Sequence, residues 1–149
     1  MRTSGTPAQR HRSSIAVQRA VRTAPPARRL RAWALAAARA GSQITLRVVG
    51  AAEGRTLNRA FRRRDYAPNV LSFAYSRRQG DVVLCHPVIR REARAQGKTL
   101  AAHYAHLVVH AVLHLRGLSH ARARDRQRME RREIRILRRL GVADPYAVT

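Results

Sequence analysis

The stretch from Leu100 to Leu115 limits the fold of this chain more than any other part of it. It holds no Asp, Glu, Lys or Arg, and from Leu107 onward apolar side chains fall on nearly every helical face. A helix that is apolar all round must be buried all round, so the pattern predicts a central helix with other elements packed against it, stopped by Gly117. Four short runs rich in β-branched residues read as strands: Ser14 to Gln18, Ile44 to Val49, Asn69 to Phe73 and Asp81 to Cys85. The last two pair as a hairpin, with Gln79-Gly80 read as its turn. Helices are predicted after Pro25-Pro26, with Leu30, Trp33, Leu35 and Ala37 in an Ala/Arg-rich stretch closed by Gly41, over Thr56 to Arg64, and after Pro87. A last helix is predicted over Arg126 to Leu140, with Met129, Ile134, Ile136, Leu137 and Leu140 facing inward. The fold class is therefore α+β: a single small domain with a mixed sheet of about four strands covered by helices, the histidine-bearing helix being central. A length of 149 residues suits one such domain. The expected organisation is a disordered basic leader over residues 1–13 and a folded domain over 14–149.

Charge narrows the partners. There are 31 basic residues against 8 acidic ones, a formal net charge of +23, and Lys98 is the single lysine. A surface so rich in arginine suits a polyanion, because each guanidinium can grip a phosphate through two parallel hydrogen bonds. No apolar run approaches the roughly 20 residues of a membrane helix, and no secretory apolar core follows the N-terminus. The chain is accordingly read as cytoplasmic, with no membrane association, and no feature specifies an oligomeric state. Cys85 is the single cysteine and reads as a buried strand residue. An internal disulfide and a cysteine-built zinc site are both excluded, so a metal would depend on histidines and carboxylates.

His103, His106, His110 and His114 share one arc of the central helix, since steps of three, four and four residues nearly restore the same face. Any one of them alone fits an ordinary buried histidine with ordinary hydrogen-bond partners. The spacing of His110, His114 and His120 says more: two lie one turn apart and the third follows the exit at Gly117, so three imidazoles can converge. This H-x-x-x-H-x-x-G-x-x-H pattern has the ligand spacing of the metzincin zinc motif. His106, His110 and His114 would instead spread over about 12 Å of axis at roughly 1.5 Å per residue, too far for one ion. Three neutral imidazoles suit one Zn²⁺ and leave a fourth position open, which favours a catalytic over a structural site. Ala111 stands where metzincins carry their glutamate base, so peptide hydrolysis is disfavoured. Cleavage of RNA can use the neighbouring 2′-hydroxyl instead. Asp81 and Asp125 are the carboxylates to inspect as a base or further ligand, although a turn or surface role suits both, and Met129 reads as helix core.

The segment His110-Ala111-Val112-Leu113-His114-Leu115-Arg116-Gly117-Leu118-Ser119-His120 resembles the H-G-x-L-H-L-x-G-Y-D-H motif of the YbeY family of bacterial metallo-endoribonucleases. Leu57 to Asp65 resembles that family's L-N-x-x-Y-R-x-K-D segment, Asn69 to Phe73 its [DN]-V-L-S-F strand, Gly80-Asp81 its G-D turn, and Asp144-Pro145-Tyr146 a tail seen in some members. The resemblance spans roughly Ser14 to Val148. It implies a zinc-dependent, single-strand-specific endoribonuclease acting in ribosomal RNA maturation and ribosome quality control, with ribosomal RNA and ribosome-associated proteins as partners. It also puts Arg62 on the family's functional arginine. From the residues alone Arg62 is one of several helix arginines, equally suited to a solvated face or to an ion pair with Asp65. The alternative function is a non-catalytic, zinc-stabilised RNA-binding ribosome assembly factor. Three departures stand out: Ala111 for glycine, Leu118-Ser119 for Tyr-Asp, and the arginines at 122, 124, 126 and 128 where relatives are often acidic. Loss of an orienting aspartate beside the last histidine would weaken zinc binding about 10–100-fold. Affinity for single-stranded RNA should fall steeply with salt, because each neutralised phosphate releases counterions. A dissociation constant that stays flat from low to physiological salt would mean that the basic surface is not the binding surface.

Overall fold

The computed structural model describes residues 12–117 and 122–147. Within them are strands β1 (Ser14–Arg19), β2 (Gln43–Val49), β3 (Val70–Ala74) and β4 (Gln79–Cys85). The helices are α1 (Ala27–Ala37), α2 (Ala51–Arg62), α3 (His86–Ala95), α4 (Leu100–Leu115) and α5 (Ala123–Arg139). The strands form one mixed sheet in the order β1-β2-β4-β3. β1 and β2 are parallel, as are β2 and β4, while β3 runs antiparallel to β4. The parallel pairs follow from the helices between them, since a parallel pair needs a crossover and an antiparallel one only a tight turn. This is the α+β architecture expected from the sequence. Of the leader expected over residues 1–13, residues 1–11 lie outside the described part, and Ser13 Oγ donates to Arg39 O at 2.9 Å.

Alternation along the strands sends side chains to two cores. Ile15, Ile44, Leu46, Val48, Val82 and Leu84 join α1, α4 and α5 in the larger one. Val49, Leu71, Val83 and Cys85 join Val88 on the opposite face, with Leu57 and Phe73 packed against them. α4 touches α1, α3, α5, β3 and β4, and Tyr104, Val108, Val109, Val112 and Leu113 are fully buried. It begins at Thr99, whose side chain accepts from Ala102 N, and Gly117 follows it at φ 88°. α3 and α4 are pinned by a buried polar chain: His86 Nδ1 lies 2.7 Å from the Tyr104 hydroxyl and its Nε2 lies 3.0 Å from Thr23 Oγ1. Burial holds the His86 imidazole below its ordinary pKa and the Tyr104 phenol above its own.

Three local expectations change. α2 starts at Ala51, not Thr56, because Gly50 takes the cap position and Ala51-Ala52-Glu53 forms a first turn with an acid at the positive end of the helix dipole. It ends at Arg62, where Arg63 turns left-handed at φ 56° and its N–H returns to Asn58 O. α1 ends at Ala37, short of the Gly41 expected to close it, because Ala38 is already extended; it buries the stripe Leu30, Trp33, Ala34 and Ala37 and leaves Leu35 exposed.

The third change bears on the site. Gln79-Gly80 is not the hairpin turn but the start of β4, where Gly80 pairs with both Ile44 and Ala74. Tyr75 N and Ser76 N both donate to Gln79 O across the actual turn. Gly80 is needed for close approach, since a Cβ there would come within 2.8 Å of Leu115 Cδ2 and 2.9 Å of Phe73 O. Leu115 ends α4 one residue after His114, so this glycine lets the histidine-bearing helix lie down on the hairpin. Gly80→Ala should lower the urea midpoint by the equivalent of about 1–3 kcal/mol at unchanged slope. A midpoint equal to the parent's would mean that α4 and the hairpin separate freely.

Candidate metal centre

α4 carries its histidines from the core outward. His103 is buried, with Nε2 2.9 Å from Glu92 Oε1, and Asn69 Nδ2 donates to the same carboxylate at 3.3 Å. It therefore belongs to the junction of α3 and α4. His106 lies a turn further, with Nε2 3.2 Å from the Tyr146 hydroxyl and 3.9 Å from Glu133 Oε2. Burial pushes the His106 imidazole down to about 4, the nearby Glu133 opposing only part of that shift, so the ring is neutral near pH 7. His110 is hydrogen-bonded through Nδ1 to Glu133 Oε1, and the Tyr146 hydroxyl donates to Glu133 Oε2. Burial, then Glu133, raises the Tyr146 phenol above its ordinary pKa, which keeps it a donor. His114 is exposed on the last turn.

Glu133 is 0% exposed and comes from α5, yet it binds partners on α4 and in the C-terminal segment. A carboxylate accepting from His110 Nδ1–H selects the tautomer that carries its lone pair on Nε2, the arrangement that orients metal-ligating histidines. His106, His110 and Glu133 also offer one ligand atom each within 4.8 Å of one another, a group with the donor chemistry of a metal site.

On the other side of His110 an open cleft of about 440 Å³ lies between the end of α2, the edge strand β3 and α4. Phe61, Arg62, Phe73, His110, Ala111 and His114 line it, and no carboxylate does among the described residues. Arg62, His110 and His114, singled out in the sequence, thus come together here. His120, the third ligand expected there, lies outside the described residues, as do Leu118 and Ser119. Asp65 is engaged by Arg55 at 2.8 and 3.1 Å, so the ion pair left open between Arg62 and Asp65 is made instead by an arginine two turns earlier on α2. Asp81 accepts from the Tyr75 hydroxyl at 2.8 Å, Asp125 stands in the first turn of α5, and Met129 is buried core.

Sequence reasoning missed Glu133. A signal was there: it stands four residues from both Met129 and Leu137, a charged side chain inside the apolar stripe of α5. A buried carboxylate needs partners, and the stripe faces the histidine arc of α4.

A small α+β domain in which a histidine–carboxylate group backs an arginine-bearing cleft is a metal-site domain by its donor set. Its family follows from comparison: residues 12–141 match the family model described as Endoribonuclease YbeY, and the chain belongs to that family. The Endoribonuclease YbeY of Aromatoleum aromaticum is 49% identical over 144 residues, covering 91% of this chain and 94% of that one. The protein of the same name from Polaromonas sp. is 52% identical over 129 residues, covering 84% of each chain. The solution structure of TM1509 from Thermotoga maritima superposes with a TM-score of 0.57 at 16% identity, covering 90% of this chain and 99% of that one, and so speaks to the fold alone.

Glu133→Gln keeps the side chain's size and removes its charge. Divalent-metal affinity, read by chelator competition, should drop about 10–100-fold while unfolding stays cooperative. Affinity equal to the parent's would uncouple this carboxylate from any bound ion.

Proposed function

We propose that this chain is a zinc-dependent, single-strand-specific endoribonuclease acting in ribosomal RNA maturation and ribosome quality control. The observation that carries the reading is the meeting of Arg62 with His110 and His114 in one cleft lined by no carboxylate among the described residues, so that a phosphate entering it meets a guanidinium beside histidine donors. The name Endoribonuclease carried by relatives that are about half identical over most of the chain supports the same reaction. The ion would be held by His110, His114 and His120. The group of His106, His110 and Glu133 suits this role less, because Glu133 is fully buried and already hydrogen-bonded to His110 Nδ1, leaving a phosphodiester no approach. Glu133 then acts by fixing the His110 ring, and His114 stands on the open side.

When bound, zinc supplies Lewis acidity toward a phosphoryl oxygen and acidifies water. Arg62, at the end of a helix anchored by Leu57 in the second core, presents fixed positive charge where charge develops on the scissile phosphate. The remaining arginines hold the strand by its phosphates without reading sequence. Partners are then ribosomal RNA and ribosome-associated proteins, in the cytoplasm. No helix of the described residues is long and apolar enough to cross a membrane.

Arg62→Ala and His114→Ala separate chemistry from binding. Arg62→Ala should keep its zinc and most RNA affinity but cleave about 10²–10³-fold more slowly, the usual effect of removing one transition-state donor. His114→Ala should lose zinc and cleavage together. Cleavage at the parental rate by Arg62→Ala would remove Arg62 from the mechanism, and cleavage by zinc-free His114→Ala would remove the metal.

A further inference from the structure

The chain has only two phenylalanines, and both line the cleft that holds Arg62, His110 and His114. Phe73 comes from β3 and packs against the second core. Phe61 comes from the last turn of α2 and is 64% exposed, although Leu57, one turn earlier on the same face, packs into that core. Core packing therefore does not account for Phe61. Its ring meets Phe73 edge to face, with centroids 5.1 Å apart and planes at 67°. In such a T-shaped pair one ring rests its edge on the other, so the pair is braced while ring face stays uncovered by its partner.

An aromatic face braced beside a guanidinium is the combination that binds single-stranded nucleic acid, with cations taking the backbone and rings taking the bases. A base held in an A-form duplex is stacked on its neighbours and cannot reach such a ring, whereas an unpaired one can be splayed onto it. Resting on the endoribonuclease reading above, the geometry points to Phe61, braced by Phe73, as the stacking platform for an unpaired base next to the scissile phosphate, and hence as the source of single-strand selectivity. Arg62, the next residue, would hold the adjoining phosphate while the base lies on Phe61.

The probes are one single-stranded oligoribonucleotide carrying 2-aminopurine and its duplex form, added to the zinc-loaded protein. Phe61→Ala should bind the single strand about 5–100-fold more weakly, and should lose the quenching of 2-aminopurine that stacking produces, with duplex affinity unchanged. Phe61→Tyr should restore both signals, since it keeps the ring. Equal losses toward single strand and duplex, or single-strand affinity and quenching in Phe61→Ala that match the parent, would overturn the platform. Failure of the two readings is distinguishable. A parent that binds through Phe61 but does not cleave sinks the nuclease reading, while a Phe61→Ala protein that binds and cleaves like an active parent sinks only the stacking.

Discussion

The burial of α4 on every side is the constraint from which the rest of this molecule follows. Tyr104, Val108, Val109, Val112 and Leu113 are fully buried, and the helix is packed by α1, α3, α5 and two strands. A helix held this way cannot rotate about its axis without moving a well-packed core, so its histidine arc points in one direction. Successive histidines therefore meet successive surroundings. His103 reaches α3, His106 the C-terminal segment, His110 the buried carboxylate of α5, and His114 the open cleft.

Electrostatics act on two scales here. Over the surface, a net charge of +23 attracts any polyanion and makes its binding sensitive to salt. Inside, Glu133 is a buried acid in a strongly basic chain, and three groups converge on it: His110, Tyr146 and, at longer range, His106. The surface charge gathers substrate without choosing a reaction. The buried carboxylate sets one ring's tautomer, a local task in which surrounding surface charge has little part.

Much of the scaffold was legible because hydrophobic period is a direct imprint of which face is buried. The central helix was bounded from Leu100 to Leu115 as the structure has it, and all four strands lie within a residue or two of their expected limits. The errors share one cause. Gly80 looked like a turn residue, yet the turn precedes it and the glycine is required by Leu115, thirty-five positions away in sequence. Gly41 looked like the close of α1, but the helix stops at Ala37, and the stripe it buries is set by where β1 and α4 lie. An ion pair with Asp65 was one of two ordinary roles left open for Arg62, and beyond the left-handed end of α2 that carboxylate meets Arg55 instead.

By itself the sequence determined the periodic elements, the fold class, the basic surface, and His110, His114 and His120 as a set to watch, since these rest on local spacing and composition, while Arg62 stood out only through the family resemblance. The tertiary structure alone decided that Arg62 and Phe61 share a cleft with His110 and His114, and that Glu133 stands behind His110. Those residues come from α2, α4 and α5, and their meeting depends on how helices settle against a sheet. Spacing along the chain carries no record of that, because contacts between distant segments are chosen by the packing of the whole core.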